Sequence, residues 1–483
     1  MMIPPLSVGV LAVGFGKYRP AALASSTAST ASTTGSNQAS RTRQPCLPTP
    51  CHDAFVATTP ASARFGGLFD ELRFGGLFDE PKQPTLQVWR HDEHAYRLPQ
   101  ETVSLAMALG SVDGHFSARL KDSPEEAMFM RSGLKLLQAL PLYFAHHPDR
   151  VPPGLKRAYE KAGTPFPTPT QPPQPLSSEA WAMTMASHHG TPTHLAILRT
   201  LVSHLNASRL NTRPLNQPPP FVFTPHLPLS DTARCQLAID QQTPQPVAEA
   251  LHHQCAGNHL GLMLACQAYG WNTSGYDMPM SNLQQYLYNL LAWYSQPPSR
   301  LAQYDTSPET ARLPNCLDID YATDGCRIPT LGLPLANVPS NGLSITNLFT
   351  NLASRPELAE LLIPLKQHPQ LLANVSDNPA DWALETQLMV ANPNLVVKSA
   401  VKKKLFVMDT AHGIGGVLAN EGGDELFETA ALHALHHVGL INDVQLAQIV
   451  AYNPAKYALE TDNVELDFDW SRLQLHGTVA ATR

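Results

Sequence analysis

The rhythm of hydrophobic and polar positions changes twice along the chain. Up to residue 84 no periodic apolar pattern is sustained. Leu86-Gln87-Val88-Trp89 then alternates as a half-buried strand does. Ser123-Pro124-Glu125-Glu126 signals a helix start, with a capping serine, a proline in the first turn and acids at the positive end of the dipole. Ala127, Met130, Leu134 and Leu137 would share one side of that helix, and Pro141 would stop or kink it. The stretch 163–175 (GTPFPTPTQPPQP) reads as a polyproline spacer. Ser178 opens a second helical region through Leu205, broken at Gly190-Thr191-Pro192 and closed by Pro218-Pro219-Pro220.

From Phe221 onward short apolar runs alternate with helical segments. The runs are 221–223, 273–278, 317–321, 343–347, 371–375 and 405–409. Strands alternating with helices predict a parallel α/β architecture. Three parts follow: a low-complexity tail over 1–84, a mostly helical region over 85–215 and an α/β unit over 221–475.

Composition narrows the picture. Charged residues make up 15% of the 483 and the net charge is −7, so no basic surface for nucleic acid is expected. No apolar run reaches the ~20 residues of a membrane span. Residues 1–52 contain no Asp or Glu and are rich in Ser, Thr and Ala, which fits a transit peptide or a plain disordered tail. Seven cysteines without a CxxC pair argue against a disulfide framework and for a reducing, cytoplasmic setting. An octapeptide, RFGGLFDE, stands at 64–71 and again unchanged at 73–80. It reads as a partner-docking motif or as a duplication within an unstructured tail.

The chemistry-bearing stretch is Leu405-Phe406-Val407-Met408-Asp409 with His412 beyond it, before a helix opening near Glu428-Thr429. A strand that hands an acid and a histidine to a loop is how a (β/α)8 barrel presents reactive groups. Cys255, in His252-His253-Gln254-Cys255, is either a thiol nucleophile or a small buried side chain on a helix. Glu425, Thr429, His433 and His437 share a helix face by fours, where solvated or interface histidines compete with a metal site. His188-His189 with His194 fits no zinc spacing.

Taken in order, the strand ends resemble those of the dihydroorotase-like amidohydrolases. The segments are Val222–Leu229, Ala265–Asn282, Tyr321–Gly325, Leu343–Thr350, Val390–Pro393, Asp409–His412, Glu428–Ala430, Asn453-Pro454-Ala455-Lys456 and Asp462–Asp469, colinear over 221–470. The resemblance implies a distorted or incomplete (β/α)8 TIM-type barrel and metal-assisted opening of a cyclic amide, with zinc activating water and an aspartate moving the proton. It implies His226 and Asp409 as metal ligands, Asp409 also as the catalytic general base, and Asn392, His412 and Asn347 as substrate contacts. Departures from that pattern are Pro228 and Asn347 in place of ligand histidines and Ser230 in place of a carboxylate-binding arginine. They point to a non-catalytic, scaffolding relative with an eroded metal site that binds a protein partner or a second copy of itself. The alternatives are an active zinc hydrolase of a small cyclic amide, drawing on His259 or His368, and an α/β protein in which the motif order is fortuitous.

Overall fold

In the computed structural model, the structure describes residues 85–91, 101–120, 127–207, 219–314, 319–336, 342–401, 403–420, 426–461, 464–468 and 470–479. The repeated octapeptide, the capping signal at 123–126, Glu425 and the acid-poor leader lie outside these residues. Among the described residues no helix is long and apolar enough to cross a membrane.

Among the described residues thirteen strands form three sheets, and every recorded pairing is antiparallel. The main sheet contains β3 (Ala106–Ser111), β4 (Ser117–Leu120), β8 (Leu395–Ala400), β9 (Lys404–Asp409), β10 (Ile414–Ala419) and β13 (Leu473–His476), in the order β13-β4-β3-β10-β9-β8. A second sheet holds β1 (Thr85–His91), β2 (Glu101–Ser104), β11 (Glu460–Thr461) and β12 (Val464–Phe468). The third is a small one of β5 (Ala127–Phe129), β6 (Asp320–Thr323) and β7 (Pro329–Pro334), ordered β5-β7-β6. Segments separated above as a helical region and a barrel thus share sheets: β3 pairs with β10, and β1 with β12.

The expected (β/α)8 barrel is not present; among the described residues no sheet closes. The run 405–409 is a strand, as its apolar pattern predicts, but β8, β9 and β10 follow one another through connections of three and four residues. Parallel pairing needs a crossover of a dozen residues or more, so such short links force hairpins. Other expected strands are different elements altogether. Thr273–Gly275 is a 3-10 turn, Leu343 leads into the helix Ile345–Ser354 behind the capping Ser344, and 369–372 is another 3-10 turn. Short apolar runs do not distinguish a buried strand from a buried helix.

The helix Ile345–Ser354 lies across β10 and β3, burying Ile345, Leu348, Phe349 and Leu352, with Phe349 stacked on Phe406 at 4.8 Å between ring centroids. The helix forecast from 123 begins instead after β5, as a 3-10 turn Arg131–Leu134 and the short helix Lys135–Gln138. Pairing of β5 with β7, some two hundred residues away, overrides the local helical pattern. A second helical layer is held by close crossing. Ser178–Met185 starts at the N-cap Ser177, and its Met183 and Thr184 sit directly on Gly257 and Gly261 of the helix Ala256–Ala268. A Cβ on Gly257 would stand 2.2 Å from the Met183 carbonyl oxygen.

Gly257 inverts the usual helix rule. A mid-helix Gly→Ala normally stabilises by up to about 1 kcal/mol, but Gly257→Ala must force the two helices apart and should cost about 1–3 kcal/mol. Gly275→Ala, whose Cβ would meet nothing nearer than 3.9 Å, is the control. Chemical denaturation of both variants checks this, and an unchanged midpoint for Gly257→Ala would contradict the packing described.

Candidate functional site

Arg131 is the point where the chain turns from β5 into the helical turn. Its φ of 49° places a non-glycine residue in the left-handed region, at a cost of about 1–3 kcal/mol. Contacts from distant segments hold it there. Its N–H donates to Thr330 Oγ1 at 2.8 Å, and its guanidinium donates from Nε and one terminal nitrogen to Asp324 Oδ1 at 2.9 and 2.7 Å. One residue earlier, Met130 N–H donates to the Leu331 carbonyl at 3.1 Å. Gly133 lies against Phe406 of β9, where a Cβ would come within 2.3 Å of the ring. The turn carrying Ser132 is therefore seated on the main sheet and tied to the small one.

Ser132 and Lys135 are one helical turn apart and both buried, at 9% and 3% exposure. They line a cleft of about 10 Å3 together with Arg131, Gln138, Asn258, Asp324, Cys326 and Thr330, room for a single water. Arg131 and Asp324 are the only partly exposed residues among the lining, so their ion pair is the rim. Lys135 Nζ donates to the Ala186 carbonyl at 2.7 Å and to Ser187 Oγ at 2.9 Å. Ala186 caps the carboxyl end of the helix Ser178–Met185, whose dipole favours a cation there. Asn258 donates to the Thr184 carbonyl at 3.2 Å, fixing the cleft's far wall. Close by, β8 packs on the 131–134 turn and carries Lys398, fully buried beside Glu385 at 3.3 Å. Burial draws the Lys398 ammonium below its ordinary range, against the pull of Glu385.

Two buried thiols belong to the elements around the cleft. Cys255 caps the helix Ala256–Ala268, and Cys326 follows the turn at Asp324. Around them sits a layer of buried imidazoles. His259 Nδ1 meets the Tyr276 hydroxyl at 2.5 Å, His188 Nδ1 accepts from Gly190 N–H, and His194 Nδ1 pairs with Thr191. Burial lowers His188 well below the ordinary imidazole range, and His194 and His259 to about 3.

The residues singled out from the barrel resemblance lie elsewhere. His226 is exposed on a loop, its Nδ1 2.7 Å from the Leu227 carbonyl. Asp409 and His412 do come together, at 2.7 Å, but as a local turn in which Asp409 also accepts from the N–H groups of Ala411 and His412. Asn347 Nδ2 donates to the Ser295 and Gly342 carbonyls, and Asn392 Nδ2 to Leu440. His259 is in the buried imidazole layer, while His368 faces Glu179 at the surface. His433 Nε2 donates to the Tyr457 carbonyl at 3.0 Å, and His437 stacks on Trp470. Among the described residues no three His, Cys, Asp or Glu side chains are grouped to hold a metal ion, so His226 and Asp409 form no zinc set.

Ser132 and Lys135 were passed over in the sequence because they fall inside an apparent apolar helix face. The signal that finds them is their spacing: Ser-x-x-Lys at a helix start is the nucleophile arrangement of serine acyl-transfer enzymes. A literal Ser376-Asp377-Asn378 is a decoy for the companion motif of those enzymes. Ser376 bonds Asp381 and Asn378 caps the turn Pro379–Asp381, whereas the serine that meets the lysine is Ser187.

Fold and site together define an α/β protein with antiparallel sheets and a serine–lysine cleft. The family model of L-asparaginase II matches residues 169–464, well over half of the chain, and the chain belongs to that family. This overturns the likeness to dihydroorotase-type amidohydrolases and the pyrimidine-related scaffold drawn from it: the matching motifs were short, and the antiparallel sheets supply no barrel strands to carry them. No curated protein matches the sequence. Ser132 and Lys135 precede the matched segment, yet the groups that complete their cleft, Ser187, Asn258, Asp324, Cys326 and Thr330, all lie within it.

The buried imidazoles set an acid limit on the fold. His194 and His259 keep depressed values in the folded chain but return to about 6.5 on unfolding. The unfolded state therefore binds more protons below pH 6.5, and stability falls as pH drops from there toward about 3. The slope is up to about 1.4 kcal/mol per pH unit for each such group. Thermal unfolding midpoints should drop between pH 7 and pH 5, before most carboxylates titrate; a flat profile in that window would refute this.

Proposed function

We propose that the protein hydrolyses the side-chain amide of L-asparagine, or of a closely related amino-acid amide, through an ester on Ser132. The observation that carries this reading is the Ser132-x-x-Lys135 pair, held on a strained turn and completed by residues of the L-asparaginase II segment. Strain at a nucleophile is characteristic of functional turns, because the surrounding structure must over-determine it.

In the proposed reaction Ser132 Oγ adds to the amide carbonyl, while the Lys135 ammonium, beside Ser187, gives a proton toward the amide nitrogen and takes the Ser132 proton in its place. Collapse of the adduct breaks the C–N bond, with the departing nitrogen taking up the lysine's proton and leaving as ammonia. A water then adds to the ester, aspartate leaves, and the hydroxyl of Ser132 is restored. The cleft's one-water volume suits the second step. Substrate entry requires the Arg131–Asp324 rim to part. A guanidinium and a carboxylate side by side also offer the charge complement of an amino acid's α-carboxylate and α-ammonium.

Ser132→Ala should abolish ammonia release from L-asparagine. Lys135→Arg keeps the charge and a hydrogen bond but not a transferable proton, and should lower kcat by about 10²–10⁴ with little change in KM. Steady-state assays and acid-quenched mass spectrometry of the acyl-enzyme test this; undiminished turnover in Ser132→Ala would sink the reading.

A further inference from the structure

The proline-rich stretch 163–175 has no part in the hydrolysis just described, and it is not a free spacer. The N–H groups of Thr170 and Gln171 donate to the Ala268 carbonyl at 2.8 and 3.3 Å, and Gln171 Nε2 donates to the Gln267 carbonyl at 3.1 Å. The segment is thereby tied to the carboxyl end of the helix Ala256–Ala268, where the last carbonyls need donors from outside. From there the chain runs to the N-cap Ser177 across a cavity of about 380 Å3, the size of a small-molecule site. The other walls are the helices Leu140–His146 and Pro192–Ala207. Leu142, Leu264 and Gln267 are buried at its floor, while Pro172, Gln174 and Ala207 are exposed at its mouth. It shares no lining residue with the Ser132 cleft. Asn258 of the cleft and Gln267 of the cavity lie about 14 Å apart along their common helix.

Three features define what the cavity accepts. Among the described residues no charged side chain lines it, so an ion entering would lose its hydration without a counter-charge. Two imidazoles do line it, and His146 Nε2 and His204 Nδ1 are each buried with no hydrogen-bond partner. Such atoms are left for the donor or acceptor of an occupant to satisfy. Burial, with His147 and His204 beside it, draws His146 down to about 4, so its ring is uncharged at neutral pH and carries one N–H and one bare nitrogen. The rest of the wall is apolar, with leucines at 142, 176 and 264 and the rings of Pro172 and Pro173. Trp181 stands edge-on to His146 with 5.2 Å between ring centroids, which fixes the imidazole plane.

We propose that this cavity is a second ligand site, and that it binds an uncharged aromatic alcohol of about two rings. The hydroxyl meets the unpaired nitrogens of His146 and His204, and the rings lie between the prolines and the leucines. A hydroxyl donates and accepts through one atom, so it can serve two neutral imidazoles at once. Flat proline and imidazole rings give a planar ligand broad contact. A carboxylate or an ammonium would find no partner charge, and a bare hydrocarbon would leave both nitrogens unsatisfied. The site does not depend on the hydrolase reading and stands whether or not Ser132 turns over an amide.

The experiment measures binding of β-naphthol, naphthalene and β-naphthoate to the full-length protein by equilibrium dialysis. The expected result is saturable binding of β-naphthol, with naphthalene weaker by about tenfold or more because it lacks the hydroxyl, and no binding of β-naphthoate. Replacing both histidines, His146→Leu with His204→Leu, should erase the preference for the alcohol over the hydrocarbon. That change exchanges unpaired nitrogens for apolar atoms, so the fold should persist, and thermal unfolding checks that it does. Ala207→Trp, at the exposed mouth, tests the location without touching the buried walls and should abolish binding of β-naphthol. Failure of β-naphthol to bind, or equal affinity for naphthalene or β-naphthoate, would overturn the ligand class. Undiminished binding in Ala207→Trp, or an unchanged preference in the double histidine variant, would overturn the site.

Discussion

Everything at the cleft depends on one backbone residue held out of its preferred conformation. Arg131 occupies the left-handed region with φ near 49°, and no local feature of the sequence stabilises it there. Its N–H is taken by Thr330 and its guanidinium by Asp324, on either side of the β6–β7 hairpin. These are charge-assisted or part-buried hydrogen bonds, each worth about 1–3 kcal/mol, enough to offset a left-handed residue. Release of that grip would let the turn relax and carry Ser132 away from Lys135. The position of the turn carrying Ser132 is thus set by contacts spanning nearly two hundred residues rather than by its own neighbours.

The same economy of position explains the surrounding polar groups. Lys135 is buried, and it is tolerated because its Nζ serves a helix-terminal carbonyl and the Ser187 hydroxyl. Lys398 is buried against Glu385, a pair whose disruption on one side typically costs about 3–5 kcal/mol.

Much of the local structure was legible from the chain. The strand at 85–91, the helices opening near Ser178 and Glu428, the break at Gly190-Thr191-Pro192 and the strand at 404–409 follow from alternation, capping and glycine–proline punctuation. The errors share one cause. Runs such as 343–347 and 273–278 are apolar and short, and a run of that kind is buried in either conformation. Met130 and Leu134 read as one face of a helix, although β5 ends just before Met130 and a 3-10 turn begins just after it. The candidate site suffered most, because Asp409 and His412 form a self-contained turn that imitates the end of a barrel strand.

Alone, the sequence determined what is set by neighbours in the chain: where helices can start, where a strand alternates, and where glycine and proline break a helix. Such features need only a few residues' dihedral angles and side-chain spacing. Only the tertiary structure decided that the sheets are antiparallel, that Asp324 and Thr330 reach Arg131, and that Ser187 meets Lys135. Those outcomes depend on which apolar faces find each other across long loops, a choice made by the packing of the whole chain and written in no single segment.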